Sequence, residues 1–548
     1  MCIVVCEKTM HGIFRFPGFG KPVLRGRLLP AYNPIALRRT DSLRENTHHA
    51  YKSFIGYFQT KRLRHIFDAV KKDEYLLNKK NKPPFEKNTI VDIVIDGLSA
   101  NGEGVGRAEG FALFVPGALP GEKVRVKVVK MKQGYGYGKL DSITAPSDTR
   151  RPAFCPLFGR CGGCDLQHMA YEAQLLYKQQ KIQGHLERIG GFTDIHVPPV
   201  IGMEEPLYYR NKSQFPVALA NGKAVLGFYR KRSHDIIPVS ACANQHPVTT
   251  RLLEILSCFL NQYGVVPYDE AAHTGLVRHV LIRTAFATGQ IMVCLVINGH
   301  KLPHVERLIE ALNQVKGMTS VCINKNTRKN NVIMGTKTEI IWGKPTITEF
   351  LGPLRFQISA ESFFQVNPIQ TEVLYTQCVA LADLQPTDVV LDVYCGIGGI
   401  ALFMARHVRQ VIGVEISPRA VADAKENAKI NGAQNTVFIA GDAAEILPAL
   451  FEKDDAEAPV ATDVPAPNIV VLDPPRAGCD ERLLTALCQA RSEKVVYVSC
   501  NSATLARDLK ILCASGYKLE AVQGIDCFPM TTHVECIAVL KYSKRLYQ

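Results

Sequence analysis

Residues Val390–Ile400 read VLDVYCGIGGI. An apolar, β-branched run ends in Asp392, and a glycine-rich turn then opens a helix at about Gly399. Glycine supplies turn conformations and a close backbone approach that other residues resist. Outward from this unit, the strands DVVLDVY, QVIGVEIS, TVFIAGD, NIVVLDPP, KVVYVSC and HVECIAVLKY alternate with helical stretches over residues 361–548. The alternation predicts a doubly wound, Rossmann-like α/β domain in parallel register, with ligands at the carboxyl ends of its strands.

Acids stand at three of those strand ends. Besides Asp392, Glu415 closes the next strand (GVEIS), placed for ribose hydroxyls, and Asp442 closes the third (AGD), placed for an adenine amino group. One such acid is often only a helix cap; three in succession around a glycine turn point to a nucleoside. The turn is not G-x-G-x-x-G and nothing cradles a pyrophosphate, which favours S-adenosylmethionine over a dinucleotide.

Two further motifs carry chemistry. LDPPRAG places Asp473, Pro474, Pro475 and Arg476 after the fourth strand, with two prolines stiffening the loop. Similar Asp/Asn-Pro-Pro loops serve methyltransferases acting on amino nitrogens, so the motif alone suggests methyl transfer without naming the acceptor. In YVSCNSATLARDL, Cys500 ends the fifth strand beside a helix N-terminus, a setting that favours a thiolate. Uracil C5 is a poor nucleophile. A thiolate added at C6 turns the ring into an enolate whose C5 attacks a methyl sulfonium, and a base must then remove the C5 proton so that the thiolate leaves. Glu535 in THVECIAVL, at the start of the last strand, is the candidate base. Alone, Cys500 reads as a core cysteine and Glu535 as a surface carboxylate; together at one sheet edge they favour the pair.

Upstream, Cys155, Cys161 and Cys164 lie in the glycine-rich loop CPLFGRCGGC, and Cys242 follows about eighty residues later. Four thiols in this pattern suit zinc or an iron–sulfur cluster, and spacing does not separate the two. Residues 87–147 form short β-branched runs broken by glycine, as in a small closed barrel. Lys123, Arg125, Lys127, Lys130 and Lys132 fall mostly on one strand face, either merely solvated or an RNA-backbone groove. Residues 1–86 hold 17 Lys and Arg against 7 Asp and Glu, a net of +10 within a chain total of +14. They read as a poorly ordered basic extension. The stretch Glu452–Pro467 reads as a flexible surface insertion.

The chain has 548 residues, 47% hydrophobic and 21% charged, with no apolar run near the ~20 residues of a membrane helix. Its 17 cysteines without a signal peptide indicate a reducing, cytoplasmic compartment.

On the motifs FFQVNP, LDVYCGIGGIAL, GVEIS, VLDPPRAG, YVSCNSATLARDL and HVECIAVL, residues 87–548 resemble the bacterial RNA uracil-C5 methyltransferases. They look most like the 23S ribosomal RNA branch, which carries a TRAM domain and a 4Fe–4S cluster. The resemblance implies Cys500 as covalent nucleophile and Glu535 as base. It also implies Gln365, Tyr394, Glu415 and Asp473 as S-adenosylmethionine ligands, with Asp442 at the adenine. Cys155, Cys161, Cys164 and Cys242 would hold the cluster. The implied architecture is a TRAM barrel (87–147), an α+β RNA-recognition part with the cluster (148–360) and a class I methyltransferase domain (361–548). No membrane or obligate protein partner is expected. Because tRNA-modifying relatives of the resembled branch lack both barrel and cluster, ribosomal RNA is the expected substrate. The competing readings are a tRNA uracil-C5 enzyme, an amino-group methyltransferase, and a non-catalytic cluster-containing RNA-binding protein.

Overall fold

A computed structural model describes residues 84–451 and 465–543. Nearly all of the basic extension 1–86, and most of Glu452–Pro467, lie outside the described residues. Strands β1 (Ile90–Leu98), β2 (Gly104–Ala108), β3 (Phe111–Val115), β4 (Lys123–Met131) and β5 (Tyr135–Ala145) close a barrel in the order β1-β2-β3-β5-β4. A side chain at Gly138 would collide with Val126, so glycine there is what lets the wall close. On β4, Val124, Val126 and Val128 point into the barrel while Lys123, Arg125, Lys127 and Lys130 face solvent. Arg125 pairs with Asp92 on β1 at 3.1 Å.

The helix Tyr171–His185 follows, and then a seven-stranded sheet ordered β12-β11-β10-β9-β6-β7-β8. Its members are β6 (Lys212–Ala220), β7 (Lys223–Tyr229), β8 (Ile236–Pro238), β9 (Val277–Thr284), β10 (Ile291–Ile297), β11 (Met318–Lys325) and β12 (Lys337–Gly343). β10 is buried along its whole length because both faces are covered. Val293 and Leu295 pack with the helices Val248–Gln262 and Val305–Leu312, whereas Met292 and Cys294 join the core of the C-terminal part. The hairpin β13 (Ile347–Leu351) and β14 (Leu354–Ile358) sits in that second core.

The C-terminal sheet contains β15 (Val389–Val393), β16 (Gln410–Glu415), β17 (Thr436–Ala440), β18 (Ile469–Leu472), β19 (Lys494–Ser499), β20 (Tyr517–Ile525) and β21 (Glu535–Tyr542). Its order is β17-β16-β15-β18-β19-β21-β20, so the winding reverses between β15 and β18, where such sheets bind ligands. The expectation of a wholly parallel sheet needs correction. β15 to β19 are parallel, but β21 runs antiparallel to both β19 and β20. β20 (YKLEAVQGI) has exposed Lys518 and Glu520 among buried neighbours and so lacks the unbroken apolar run of a central parallel strand. Among the described residues no helix is long and apolar enough to cross a membrane.

Candidate active site

The turn after β15 is shaped by positive φ at Tyr394 (67°), Gly396 (55°) and Gly398 (86°). The amides of Tyr394 and Cys395 donate to the Val414 carbonyl at 2.9 and 3.2 Å, tying the turn to β16. Glu415, ending β16, accepts from the Gly396 and Ser417 amides at 3.3 and 2.9 Å, so its carboxylate braces the turn. Asp392 is buried, and neither carboxylate oxygen has a hydrogen-bond partner. Burial, followed by the Asp473 charge, pushes its pKa far above the usual range.

After β18, the Asp473 amide donates to the Val393 carbonyl at 3.4 Å, and its carboxylate accepts from Gln365 Nε2 at 3.4 Å. Gln365 is held from behind, where Asn211 Nδ2 donates to its carbonyl at 2.9 Å. Two residues on, Asn367 caps the helix Pro368–Ala382 by accepting from the Gln370 amide at 3.2 Å. The Pro474–Arg476 loop is fixed to the start of the helix Ser502–Ala514, because Asn501 Nδ2 and Thr504 Oγ1 both donate to the Arg476 carbonyl, at 3.0 and 3.4 Å.

Cys500 and Glu535 meet because the last two strands return. Ser499 of β19 pairs with Cys536 of β21, so the residue after one strand and the first residue of the other share an edge. Both line one cavity of about 730 Å³, together with Gln365, Tyr394, Glu415 and Asp473. Glu535 is no surface carboxylate. Burial first, then the Asp473 charge, lifts its pKa to about 8 against the pull of Arg476. Asp473 itself is lifted to about 7 by burial. The expectation of a resting Cys500 thiolate is likewise corrected: burial and the Glu535 charge push the thiol up to about 11, with Arg476 opposing. The adjacent helix N-terminus does not outweigh them.

Asp442 is not brought into the cavity wall. Its carboxylate accepts from the Ala444 amide at 3.0 Å, capping the helix Ala443–Phe451, and pairs with Arg482 at 2.6 Å. The Ala444 bond, then Arg482, holds its pKa below the usual carboxylate range.

Cys155, Cys161, Cys164 and Cys242 line a second cavity of about 380 Å³, which shares Gly163, Arg210 and Val366 with the first. Polar hydrogens already point at the sulfurs. Gln167 Nε2 and Asn244 Nδ2 donate to Cys164 Sγ at 3.2 and 3.1 Å, and the Gly163 amide to Cys161 Sγ at 3.4 Å. Burial and the neighbouring Cys242 and Cys161 push the Cys164 thiol up to about 12. Among the described residues no three His, Cys, Asp or Glu side chains are grouped closely enough to hold a single metal ion.

Several wall residues escaped the sequence reading. His533 and Phe363 sit inside motifs quoted above, in THVEC and FFQVNP, and Phe363 is 66% exposed in the cavity wall. Arg210 has no sequence signal at all.

Comparison with known proteins agrees with this geometry. The profile described as tRNA (Uracil-5-)-methyltransferase matches residues 284–543, and that of the TRAM domain matches residues 84–140. An uncharacterized RNA methyltransferase of Halalkalibacterium halodurans is 46% identical over 463 residues, covering 84% of this chain and 99% of that protein. One from Clostridium tetani is 44% identical over 460 residues, covering 84% and 98%. Among solved structures, the Pyrococcus abyssi tRNA (uracil-54, C5)-methyltransferase in complex with S-adenosyl-L-homocysteine is similar with a TM-score of 0.64 at 26% identity, covering 82% of this chain and all of that one. Matched along almost their whole length by relatives of this identity, the chain belongs to the tRNA (uracil-5-)-methyltransferase family of S-adenosylmethionine-dependent RNA methyltransferases and carries a TRAM domain.

Proposed function

We propose that the enzyme methylates C5 of a uridine in 23S ribosomal RNA, with Cys500 as nucleophile and Glu535 as the base that removes the C5 proton. The observation that carries this reading is the placement of both groups on one edge of one cavity, through the Ser499–Cys536 pairing of β19 and β21. Methylation of an amino nitrogen needs neither group.

S-adenosylmethionine, when bound, supplies the methyl sulfonium. Gln365, Tyr394, Glu415 and Asp473 would hold it; the partnerless Asp392 carboxylate and the open turn at Gly396 fit a polar, cationic ligand in this wall. At Asp442 an adenine amino group would have to share the carboxylate with Arg482 and the Ala444 amide. The target uridine must be unstacked to reach Cys500. Cys500 loses its proton to solvent and Sγ bonds to C6, while the C5–C6 π electrons move into an enolate. After C5 has taken the methyl group, Glu535 removes its proton. The C–H electrons restore the double bond, and the C6–S bond breaks to release the thiolate. The charges of Cys500 and Glu535 oppose one another, so the pair holds one negative charge readily and two with difficulty. Bonding at C6 removes the thiolate charge, which lets Glu535 release its proton to solvent and become the base when it is needed.

Cys155, Cys161, Cys164 and Cys242 are the proposed ligands of a 4Fe–4S cluster. The donors aimed at their sulfurs fit thiolate ligands. Zinc would take the same four thiolates, and it is the resemblance to the cluster-bearing branch that favours 4Fe–4S. Methyl transfer to uracil needs no redox step, so the cluster's role is to order the central part against RNA.

The 23S assignment is supported by the joint presence of the barrel and the four-thiol set. A second reading, tRNA, is supported by the Pyrococcus abyssi neighbour. That protein is named for a tRNA substrate, and it covers 82% of this chain, more than the central and C-terminal parts alone contain. The test is covalent trapping on 23S fragments and on tRNA carrying 5-fluorouridine, read by mass spectrometry. Fluorine at C5 does not leave as a proton, so the adduct persists. An adduct at Cys500 on 23S fragments alone supports the proposal, and on tRNA alone the second reading. None on either RNA, with S-adenosylmethionine shown to bind, refutes both.

A further inference from the structure

We infer that the buried Lys178–Asp526 ion pair is a positioning device for the catalytic base, fixing the loop 526–534 that delivers Glu535 to the cavity. The inference rests on the reading of Glu535 as base.

The loop joins β20 to β21 and contributes Phe528, Thr531 and His533 to the cavity wall. It has no strand partner along its length and bends through a left-handed, non-glycine Met530 (φ 66°), so its shape must be imposed from outside. One face of the helix Tyr171–His185 imposes it. Lys178 Nζ donates to Asp526 Oδ1 at 2.6 Å and to the Phe528 carbonyl at 3.0 Å, with both side chains wholly buried. Asp526 Oδ1 also accepts from the Phe528 amide at 3.0 Å, and Oδ2 from Tyr171 at 3.1 Å. Gln174 accepts from the Met530 amide at 3.1 Å, and Lys181 donates to the Thr532 carbonyl at 2.8 Å. Tyr171, Gln174, Lys178 and Lys181 recur every three or four residues, the spacing of a single helix face.

A buried ion pair is a poor way to hold two elements together, since apolar residues of the same volume often pack as stably. Its gain is direction. One ammonium fixes the loop at two points, immediately before the segment that ends in Glu535. The other side of the loop is held as well: the amides of Asp165 and Leu166, directly after Cys164, donate to the Met530 carbonyl at 2.9 and 3.0 Å.

The test uses the full chain, S-adenosylmethionine and RNA with ordinary uridine, following the Cys500–RNA adduct through its formation and resolution. Glu535→Gln is the reference, since without a base the adduct accumulates. The double variant Lys178→Met/Asp526→Asn removes both charges and nearly keeps the volume. It is expected to form the adduct within about threefold of the wild-type rate and to resolve it at least about tenfold more slowly. Tyr171→Phe, which deletes a single bond to Asp526, gives a smaller slowing in the same direction and covers the case of a misfolded double variant. If Glu535→Gln accumulates no adduct, the base reading falls and this inference with it. If Glu535→Gln accumulates adduct while the Lys178 and Asp526 variants resolve it at the wild-type rate, only the positioning role is overturned. Formation and resolution slowing equally, in step with a lowered Tm, would also overturn it, because the pair would then be merely structural.

Discussion

Replacing Glu535 by glutamine should make the protein more stable at alkaline pH, and the size of the effect follows from where the carboxyl sits. Burial and the Asp473 charge lift its pKa from 4.5 to about 8. An acid with a raised folded pKa binds more protons folded than unfolded between those two values. Stability therefore falls as pH rises through that window and is flat on either side. At ~1.4 kcal/mol per pH unit, stability relative to acid pH is lower by about 2 kcal/mol at pH 6, where only the unfolded chain has ionised, and by about 5 kcal/mol above pH 8. Glutamine has the same shape and no such dependence. Between pH 6 and pH 9 the variant should gain about 3 kcal/mol on the wild type, a Tm difference of roughly a few degrees in a chain of this size. Water entering the cavity would only lessen it. The assay is thermal melting of both proteins in matched buffers, where all other titrating groups cancel. A Tm gap unchanged from pH 6 to pH 9 would mean that Glu535 ionises freely, and the argument from burial would be wrong. The same proton has to leave before the base can act, so wild-type adduct resolution should quicken as pH passes through about 8.

Cys500→Ala should lose turnover by at least about a thousandfold while its S-adenosylmethionine Kd, measured by calorimetry, stays unchanged; full turnover would favour an amino-group acceptor. Glu415→Ala should weaken S-adenosylmethionine about tenfold or more. Asp442→Ala, acting on a helix cap rather than the cavity, should change the Kd less than about threefold and cost about 1 kcal/mol of stability. An Asp442 effect as large as that of Glu415 would place it at the ligand after all. Cys164→Ala should lose bound iron and its visible absorption without loss of S-adenosylmethionine binding, and retained iron would exclude Cys164 as a ligand. Deletion of residues 1–80 should leave turnover nearly intact at moderate salt, because no candidate residue lies in that stretch.

The strands bearing Asp392, Glu415 and Cys500 were legible because buried parallel strands spell unbroken apolar runs, and the acids and the thiol close them. β20 was not, since its lysine and glutamate follow the rhythm of an edge strand, and without it the antiparallel return could not be foreseen. Asp442 shows the limit of strand-end reasoning: the same position suits a ligand contact or a helix cap, and only the neighbouring Arg482, forty residues away in sequence, decides its side-chain partner. Arg210 reaches the cavity wall from β6's approach, and Lys178 finds Asp526 across 348 residues. Contacts this distant leave no local pattern. The thiolate preference expected of Cys500 failed for a related reason, because the burial that opposes it, and then the Glu535 charge, come from elements distant in sequence.

The reversed direction of β21 has a consequence for where chemistry can be built on such a sheet. In a sheet of one polarity, every strand offers its reactive groups at its carboxyl end. β19 runs six residues, or roughly 20 Å at ~3.3 Å per residue. Had β21 run alongside it in the same sense, its first residue would lie at the far rim, a strand's length from Cys500. Turning one strand around makes an amino-terminal position available at the working rim. A second reactive group can then stand beside the first, without a lid, a partner subunit or a longer loop to carry it there.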